Sequence, residues 1–233
     1  MTSATAAPPI DATRHRLGIV VGLVAEARIA IGIGAIGNGI GAIGIGGGSP
    51  QGAHDAAEHL VATGATALLS FGLAGGLDPT LRPGQPIVPA AILHNRRSYP
   101  ADSTLLERLG GPNAALLAAE AAPIISAAAK SALFRATAAA AVDLESGAVA
   151  EVAARHHIPF AALRIICDPA DRDLPPAAIV ALGPTGAIMP GRILASLLRH
   201  PGQLPALLRL AADARIARGA LRAAANTLRV HDV

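Results

Sequence analysis

Short apolar runs rich in branched side chains recur along this chain, and they constrain its fold more than any other feature. The runs cover residues 17–22, 65–71, 87–93 and 159–166. Each run is typical of a strand buried in a parallel sheet. Stretches with apolar positions at helical spacing occupy residues 53–63 and 146–156. Strands that alternate with helices predict a layered α/β sheet.

The composition is that of a single folded domain with a full core. The chain has 233 residues, of which 52% are hydrophobic and only 15% are charged. Residues 1–14 are polar, contain prolines and lack the pattern of a secretory signal, so we expect a disordered leader there. Residues 15–233 are then expected to form one domain.

Aromatic residues and cysteines are both scarce, and their scarcity excludes several functions. Aromatic side chains make up 2% of the chain, so we expect no nucleic-acid recognition by stacked aromatics. The one cysteine, Cys167, excludes an intrachain disulfide and a Cys-rich metal site, and it suits a reducing compartment. The histidines show no ligand spacing beyond the adjacent pair His156 and His157, so no metal is expected. We therefore expect a cytoplasmic protein.

Residues 29–48 form a low-complexity segment of Ile, Ala and Gly in which Asn38 has the only polar side chain. The segment is nearly long enough to span a bilayer, and its spaced glycines could pack helices in lipid. Nine glycines in twenty residues make a poor helix in water, however, so loops and short strands are the alternative.

The last part of the chain is rich in Leu and Arg, and it accounts for much of the formal charge of +3. From about Pro190 onward the pattern predicts two amphipathic helices separated by Pro201 and Gly202. One interpretation is that the Leu face packs on the sheet and the Arg face is solvated. The other is that part of this surface rests on a membrane, which would place the protein at the periphery of the inner membrane.

Carboxylates stand at the ends of three apolar stretches. Glu26 follows the first strand, Asp143 and Glu145 follow a short apolar stretch, and Asp168 follows the last strand. Ligands collect at the carboxyl ends of strands in open α/β sheets, so these acids are predicted to converge. Asp143 and Glu145 are predicted to alternate in a strand, so they point to opposite faces and at most one of them enters the site.

A glycine-rich stretch, residues 71–76, follows the second predicted strand and ends in paired glycines. We expect a turn there whose main-chain N–H groups approach a ligand closely.

Taken in order, the stretches LGIVVG…AE, SFGLAGGLDPTLRPGQPIV, AVDLES and LRIICDPAD resemble the purine nucleoside phosphorylase and nucleosidase superfamily, especially its methylthioadenosine/adenosylhomocysteine nucleosidase branch. The resemblance covers residues 17–173. The tail, RDLPPAAIVALGP and ASLLRHPGQLPALLRL, is similar to that of the hopanoid-associated phosphorylases. The resemblance implies a three-layer α/β/α sandwich with a central mixed sheet. It also implies cleavage of the N-glycosidic bond of a 5′-substituted adenosine, with adenosylhopane as the expected substrate and methylthioadenosine or adenosylhomocysteine as the alternative.

The same resemblance implies a role for each acid. Asp168 matches the acid that protonates adenine N7, so that the base leaves as a neutral molecule. Glu145 matches the glutamate that binds the ribose hydroxyls, and Leu144 is expected to line the sugar pocket. Glu26 matches the residue that positions and deprotonates the attacking water.

Neighbouring residues are expected to complete the substrate site. Leu73, Ala74 and Gly75 match the stretch near the nucleophile and the ribose, and Cys167 borders the base. Cys167 is interpreted as a small buried side chain rather than a nucleophile, because no histidine is paired with it in the sequence.

The sequence departs from the phosphorylase pattern where phosphate would bind. Phosphorylases of the superfamily often carry an Arg and a Ser around the glycine-rich turn, whereas this chain has Ser70, Phe71, Gly72 and Leu73. Arg28 could substitute for the missing Arg. Water and phosphate therefore both stay open as the acceptor, and we expect no cofactor apart from inorganic phosphate as a co-substrate.

The base contacts within residues 92–142 are not assigned by the resemblance. This stretch offers residues 124–126 and Phe134 and is poor in aromatics, which would suit a bulky apolar group on the 5′ side of the sugar. We expect a small-molecule or lipid-linked nucleoside as partner, no nucleic acid, and a homodimer. A nucleotide-binding module without turnover is the alternative from another functional class.

Overall fold

The computed structural model describes residues 16–34, 40–181, 187 and 189–230. The predicted leader, residues 1–14, lies outside the described residues. The strands are β1 (Leu17–Val21), β2 (Ile40–Ile45), β3 (Ala67–Gly76), β4 (Pro86–Ile87), β5 (Pro89–His94), β6 (Arg97–Pro100), β7 (Ala114–Ala119), β8 (Ala141–Asp143) and β9 (Phe160–Asp168). The α-helices are α1 (Val24–Gly34), α2 (Pro50–Ala62), α3 (Ser103–Arg108), α4 (Ala127–Thr137), α5 (Ser146–His156), α6 (Pro176–Ile179), α7 (Pro190–Arg199) and α8 (Leu204–Val230).

Within the described residues the strands form one mixed sheet. Its main path has the order β2, β1, β3, β8, β7, β5, β6, while β9 pairs with both β3 and β4. β1, β2, β3 and β9 run parallel to one another, whereas β8 is antiparallel to β3 and β6 is antiparallel to β5. Core clusters lie on both faces of the sheet. The predicted three-layer α/β/α sandwich with a central mixed sheet is confirmed.

Successive side chains of β1 point to alternate faces of the sheet and hold the layers together. Ile19 and Val21 pack in one cluster with Leu221 of α8, while Val20 packs in another cluster with Leu60 of α2. All five side chains are at most 1% exposed. Burying a side chain of this size stabilises the fold by about 1.5–3 kcal/mol, so β1 anchors helices on both of its faces.

Two residues determine where helix α2 begins. The Ser49 hydroxyl accepts a hydrogen bond of 3.2 Å from the N–H of Gly52, and Pro50 occupies the first turn, where its missing N–H costs nothing. The helix therefore begins three residues before the predicted bound at residue 53.

The strand predicted at residues 65–71 is longer than expected, and the predicted turn at residues 71–76 is wrong. β3 continues to Gly76, because β9 pairs with it as far as Gly75, which lies beside Asp168 after a shift in register between Ala74 and Gly75. A distant pairing partner of this kind leaves no trace in the local sequence, whereas the glycines favour a turn.

The single strand predicted at residues 87–93 is also wrong. The chain changes partners at Val88, where its N–H donates to the side-chain oxygen of Asn113 at 2.8 Å. β4 before this point pairs with β9, and β5 after it pairs with β7. The other predicted strands and helices appear with ends shifted by at most a few residues.

The Ile- and Gly-rich segment divides between α1 and β2, and residues 35–39 lie outside the described residues. The expectation of loops and short strands is therefore confirmed for β2 but wrong for residues 29–34, which continue helix α1. In the part of the chain that the structure describes, no helix has both the length and the apolar character needed to cross a membrane.

Candidate active site

One cavity gathers the residues that were predicted for the site. It has a volume of about 260 Å³ and lies where β1, β3, β8 and β9 end. All eight predicted residues line it: Glu26, Leu73, Ala74, Gly75, Leu144, Glu145, Cys167 and Asp168. The expected convergence of three acids from distant parts of the chain is therefore present.

Glu26 lies in the first turn of α1, directly after β1, and is 3% exposed. Its Oε2 accepts the N–H groups of Gly22 at 3.0 Å and Leu23 at 2.8 Å, and its Oε1 accepts the N–H of Leu73 at 2.9 Å. Burial raises the pKa of Glu26, while Arg164 and the three N–H groups oppose that rise. The side chain thus ties α1 to β3 at the cavity wall.

A fully buried arginine, Arg164 of β9, is paired with two of the acids. Its Nη2 lies 2.6 Å from Asp143 Oδ2 and 3.4 Å from Glu145 Oε2. The same nitrogen donates to Ser70 Oγ at 2.6 Å, and Ser146 Oγ accepts from Nε and Nη2 at 3.2 and 3.1 Å. Arg164 therefore joins β3, β8 and the start of α5 around one positive charge.

The three carboxylates around Arg164 keep its guanidinium group charged. Burial alone would lower the pKa of Arg164, but Asp143, Glu145 and Glu26 outweigh it and the pKa is raised. The guanidinium keeps its charge, and it offsets part of the cost of burying these carboxylates together.

Asp143 and Glu145 both approach Arg164, so the prediction that only one of them enters the site is wrong. β8 ends at Asp143, and Glu145 precedes α5 with a helix-like backbone, so strand alternation does not relate the two residues. Asp143 also accepts the N–H of Ser146 at 3.2 Å and its hydroxyl at 2.5 Å, which stabilises the start of α5. Both acids line the cavity.

Glu145 has a strongly shifted pKa. Burial raises the pKa of Glu145 to about 7, with Asp143 and Glu26 adding to the rise and Arg164 opposing it. This carboxyl therefore changes its charge near neutral pH, on the wall of the cavity.

Asp168 is the last residue of β9, and it is paired with Lys130 of α4. Lys130 Nζ donates to Asp168 Oδ2 at 2.5 Å and to the carbonyl oxygens of Pro169 and Arg172 at 3.0 and 2.8 Å. The three donors of the ammonium group are thus all in use. Burial raises the pKa of Asp168, and Lys130 opposes that rise.

Cys167 lies next to Asp168 and lines the same cavity. Burial, with the charge of Asp168 adding to it, raises the pKa of the thiol to about 12. The side chain is therefore a neutral thiol at physiological pH and not a thiolate.

Two glycines make this crowding possible. A Cβ on Gly72 would lie 2.6 Å from Arg164 Nη1 and 2.9 Å from Glu26 Oε1. A Cβ on Gly22 would clash with a carboxylate oxygen of Glu145. A side chain at either position would force these charged groups to shift.

Sequence reasoning missed Arg164 and Lys130, although each left a signal. Arg164 is the one charged residue within the apolar run of the last strand, and Lys130 is the only lysine of the chain, set in an alanine-rich helix. A charge at an otherwise apolar position indicates a buried partner. Arg28, which was considered for phosphate binding, is exposed on α1 and does not line the cavity.

Part of the wall that the sequence left unassigned comes from the segment before α4. Ala122, Pro123 and Ile124 line the cavity, as do Leu174 and Leu210 from the C-terminal part of the chain. Phe134 instead packs against a small core cluster around Leu77. Among the residues that the structure describes, the wall on this side is therefore apolar and carries no aromatic ring.

A second cavity of about 390 Å³ adjoins the first and shares Asp168 and Leu210 with it. It lies between the loop after β9 and α8, and the pair of Arg172 and Asp213, 2.7 Å apart, forms part of its wall. Among the described residues, no group of three or more His, Cys, Asp or Glu side chains is arranged to hold a metal ion.

Chemically, the first cavity offers a carboxyl with a raised pKa at the end of β9 and three further buried carboxyls, those of Glu26, Asp143 and Glu145. Such a pairing of environments suits an acid that donates a proton and a base that removes one. A cation that forms on a bound ligand between these groups would be stabilised by the nearby carboxylates.

Comparison with known proteins points to the class that this fold and site define. The family model described as the phosphorylase superfamily matches residues 116–199, which include α5, β9, Lys130 and three of the acids. No curated protein sequence matches the chain significantly. The family match supports the superfamily that the sequence resembles.

Solved structures share the fold at low sequence identity. Futalosine hydrolase of Helicobacter pylori has a TM-score of 0.63 at 15% identity, with 79% of this chain and 97% of that chain covered. S-adenosylhomocysteine nucleosidase from Streptococcus pyogenes has a TM-score of 0.63 at 16% identity, with 81% and 98% covered. The 5′-methylthioadenosine/S-adenosylhomocysteine nucleosidase from Neisseria meningitidis, bound to methylthio-immucillin-A, has a TM-score of 0.63 at 15% identity, with 92% and 98% covered. The chain therefore has the nucleosidase fold.

Proposed function

We propose that this protein is an enzyme that cleaves the N-glycosidic bond of a 5′-substituted adenosine and releases adenine. The observation that carries the proposal is the meeting of Glu26, Glu145 and Asp168 in one cavity, although they come from distant parts of the sequence. A protein that only binds a nucleotide does not require an acid, a base and a sugar-binding carboxylate together. Nucleosidases with the same fold support this class of reaction.

The proposed reaction uses each acid once. Asp168 in its protonated form donates to N7 of the base, and the bond from C1′ to N9 breaks with its electron pair on the base. Glu145 binds the ribose hydroxyls, and its negative charge stabilises the developing sugar cation. Water adds to C1′ while Glu26 accepts its proton, so the products are adenine and the free sugar.

Water is favoured over phosphate as the acceptor because the buried cations, Arg164 and Lys130, already have carboxylate partners. Arg164 is already paired with Asp143 and Glu145, and Lys130 with Asp168. Neither cation is available for a phosphate dianion unless it breaks a buried ion pair, which is costly. Phosphorolysis is the second candidate. The contact between Arg164 and Glu145 is the longer one, at 3.4 Å, and a phosphate could displace Glu145 from it.

For the 5′ substituent we propose a large apolar group, with adenosylhopane as the substrate in hopanoid side-chain biosynthesis. The support is the apolar wall formed by Ile124, Leu174 and Leu210, together with the similarity of the tail to hopanoid-associated phosphorylases. Methylthioadenosine and adenosylhomocysteine are the alternatives with smaller or polar groups.

A substrate panel tests this proposal. Purified protein is incubated with adenosylhopane, methylthioadenosine and adenosylhomocysteine, each with and without inorganic phosphate, and adenine and sugar products are quantified by mass spectrometry. We expect the highest kcat/KM for adenosylhopane and a free sugar whose yield does not depend on phosphate. A sugar 1-phosphate as product would show that the reaction is phosphorolysis and not hydrolysis. A preference for methylthioadenosine would contradict the proposal that the 5′ substituent is a large apolar group.

A further inference from the structure

The C-terminal helices carry most of the exposed apolar side chains of the described residues. Eight of the eleven large hydrophobic residues that are exposed there lie within residues 179–216. The leucines Leu194, Leu198, Leu204 and Leu208 are exposed by 59, 77, 45 and 61%. Isolated exposed leucines are ordinary, whereas a concentration of this kind marks an interaction surface.

Helical spacing arranges these leucines in stripes. Leu194 and Leu198 are four residues apart on α7, and Leu204 and Leu208 are four residues apart on α8. Residues at this spacing lie on the same side of a helix. Each of the two helices therefore presents a leucine stripe to solvent.

A single side chain, Gln203, joins the helices into one unit. Its Oε1 accepts the N–H of Ala177 in α6 at 2.7 Å. Its Nε2 donates to the carbonyl oxygen and hydroxyl of Ser196 in α7 at 2.9 and 3.0 Å. Gln203 directly precedes α8, so the three helices are held together at this point.

The same helices concentrate the positive charge of the protein. Residues 189–230 contain seven arginines and one acidic residue, Asp213, whereas the whole chain has a net charge of only +3. Asp213 is paired with Arg172, which lies outside these helices. Arg199 and Arg215 are exposed on α7 and α8.

We propose that the exposed leucines and arginines of α7 and α8, here called the C-terminal surface, dock on a lipid bilayer that contains anionic lipids. The leucines enter the interface between headgroups and acyl chains, and the arginines contact lipid phosphates. This occupant is favoured over a second copy of the chain, because a symmetric contact would bring two strongly positive surfaces together. The proposal does not depend on the proposed reaction.

The C-terminal surface is close in sequence to a residue that lines both cavities. Leu210, two residues after Leu208 on α8, lines both cavities. Leu208 and Leu210 lie on different sides of α8, so a bilayer on the C-terminal surface would lie across α8 from the cavities that Leu210 lines.

Vesicle flotation of the full chain tests the proposal. The vesicles contain either phosphatidylcholine alone or phosphatidylcholine mixed with phosphatidylglycerol, and neither nucleoside nor activity is needed. We expect binding to the mixed vesicles that weakens with added salt, and little binding to the neutral ones. Absence of binding to the mixed vesicles, or equal binding to both kinds, would overturn the proposal.

Two variants assign the binding to this surface. The double variant Leu194→Ser with Leu198→Ser is expected to lose roughly tenfold or more of the affinity for mixed vesicles. The matched control is Ile31→Ser, which changes a comparably exposed residue on α1 and should bind normally. The variant Arg199→Gln with Arg215→Gln should bind more weakly and with less salt dependence, while Arg108→Gln on α3 serves as its control.

Light scattering separates docking on lipid from self-association. If the leucine double variant changes the protein from a dimer to a monomer and binds vesicles like the wild type, the C-terminal surface is a contact between copies and the proposal is wrong. Unchanged mass together with lost vesicle binding supports it. Circular dichroism of each variant shows that the fold is retained.

Discussion

Lys130 and Asp168 form an ion pair in which Nζ lies 2.5 Å from Oδ2, and the lysine side chain is only 1% exposed. The remaining donors of the same ammonium group bind the carbonyl oxygens of Pro169 and Arg172. Lys130 thus fixes both the carboxyl proposed to protonate the base and the loop that follows it. The acid is held in place by a residue from α4, far from it in sequence.

Replacing Lys130 tests this relationship. The variant Lys130→Met should raise the pKa of Asp168, because Lys130 lowers it. Asp168 is proposed to act while protonated, so the fall of kcat on the basic side of the pH profile should move to higher pH. Removal of one partner from a buried pair should also lower the free energy of unfolding by about 3 kcal/mol.

The control for this variant is Arg135→Met, on the exposed side of the same helix. It should leave both the pH profile and the stability nearly unchanged. An unshifted pH profile in Lys130→Met, in protein that remains folded, would show that the lysine does not act on Asp168.

Protonation of Glu145 should be visible in stability as a function of pH. Its pKa is raised from 4.5 to about 7 by burial, so the folded protein holds a proton there that the unfolded chain has released. A group that binds protons more tightly in the folded state makes stability fall as pH rises between these two values. In the variant Glu145→Gln, the free energy of unfolding should therefore fall less as pH rises. Part of the fall should remain, because the pKa of Glu26 is also raised.

Urea unfolding of wild type and Glu145→Gln at several pH values between about 4.5 and about 7 measures this difference. Glu58→Gln is the control, because the pKa of Glu58 is lowered, chiefly by its hydrogen bond with His156, and is not raised like that of Glu145. Equal slopes for wild type and Glu145→Gln would contradict the assignment.

Removing Arg164 should expose the repulsion among the buried acids. Arg164→Met leaves Asp143, Glu145 and Glu26 without their shared cation, and the free energy of unfolding should fall by roughly 3–5 kcal/mol at neutral pH. Acidification should recover part of this loss, because protonated carboxyls no longer repel one another. Thermal unfolding at neutral and mildly acidic pH checks this, with Arg155→Met, which is half exposed, as control.

A result in which acidification destabilises Arg164→Met as much as it does the control would be incompatible with this description. It would mean that the arginine mainly fills space and does not balance charge.

The close approach at Gly72 gives a steric prediction. In Gly72→Ala, the added methyl would lie 2.6 Å from Arg164 Nη1, which is too close for any real contact. Either the arginine or β3 must move, so the variant should lose on the order of 2 kcal/mol of stability and most of its activity. Gly219→Ala on α8 has free space around its Cβ and should gain stability, by up to about 1 kcal/mol.

Chemical denaturation of both glycine variants provides the comparison. Wild-type stability and activity in Gly72→Ala would show that the contacts between Gly72, Arg164 and Glu26 are looser than the distances indicate.

The convergence of the acids could be predicted from the sequence, because it depends on a general property of parallel sheets. Glu26 and Asp168 directly follow or end strands whose apolar pattern is plain, and the carboxyl ends of such strands meet. The approximate positions of the strands and of helices α2 and α5 follow from periodicity in the same way.

The partners of those acids could not be predicted, because they depend on pairings between distant segments. Nothing near Lys130 in sequence indicates that α4 reaches Asp168, and nothing near Ser70 indicates that it meets Arg164. The continuation of β3 through its glycines has the same origin, since β9 decides it. Local patterns can indicate that a charge has a buried partner, but they do not show which distant residue that partner is.

The most direct test of the account is adenine release by wild type and Asp168→Asn. Asn keeps the shape of the side chain but cannot donate a carboxyl proton, so kcat should fall by roughly 10²–10⁴ with little change in KM. Asp171→Asn, a largely exposed neighbour, should match the wild type. If folded wild type releases no adenine from any of the adenosines, or if Asp168→Asn releases it at the wild-type rate, the proposed reaction and its acid are contradicted.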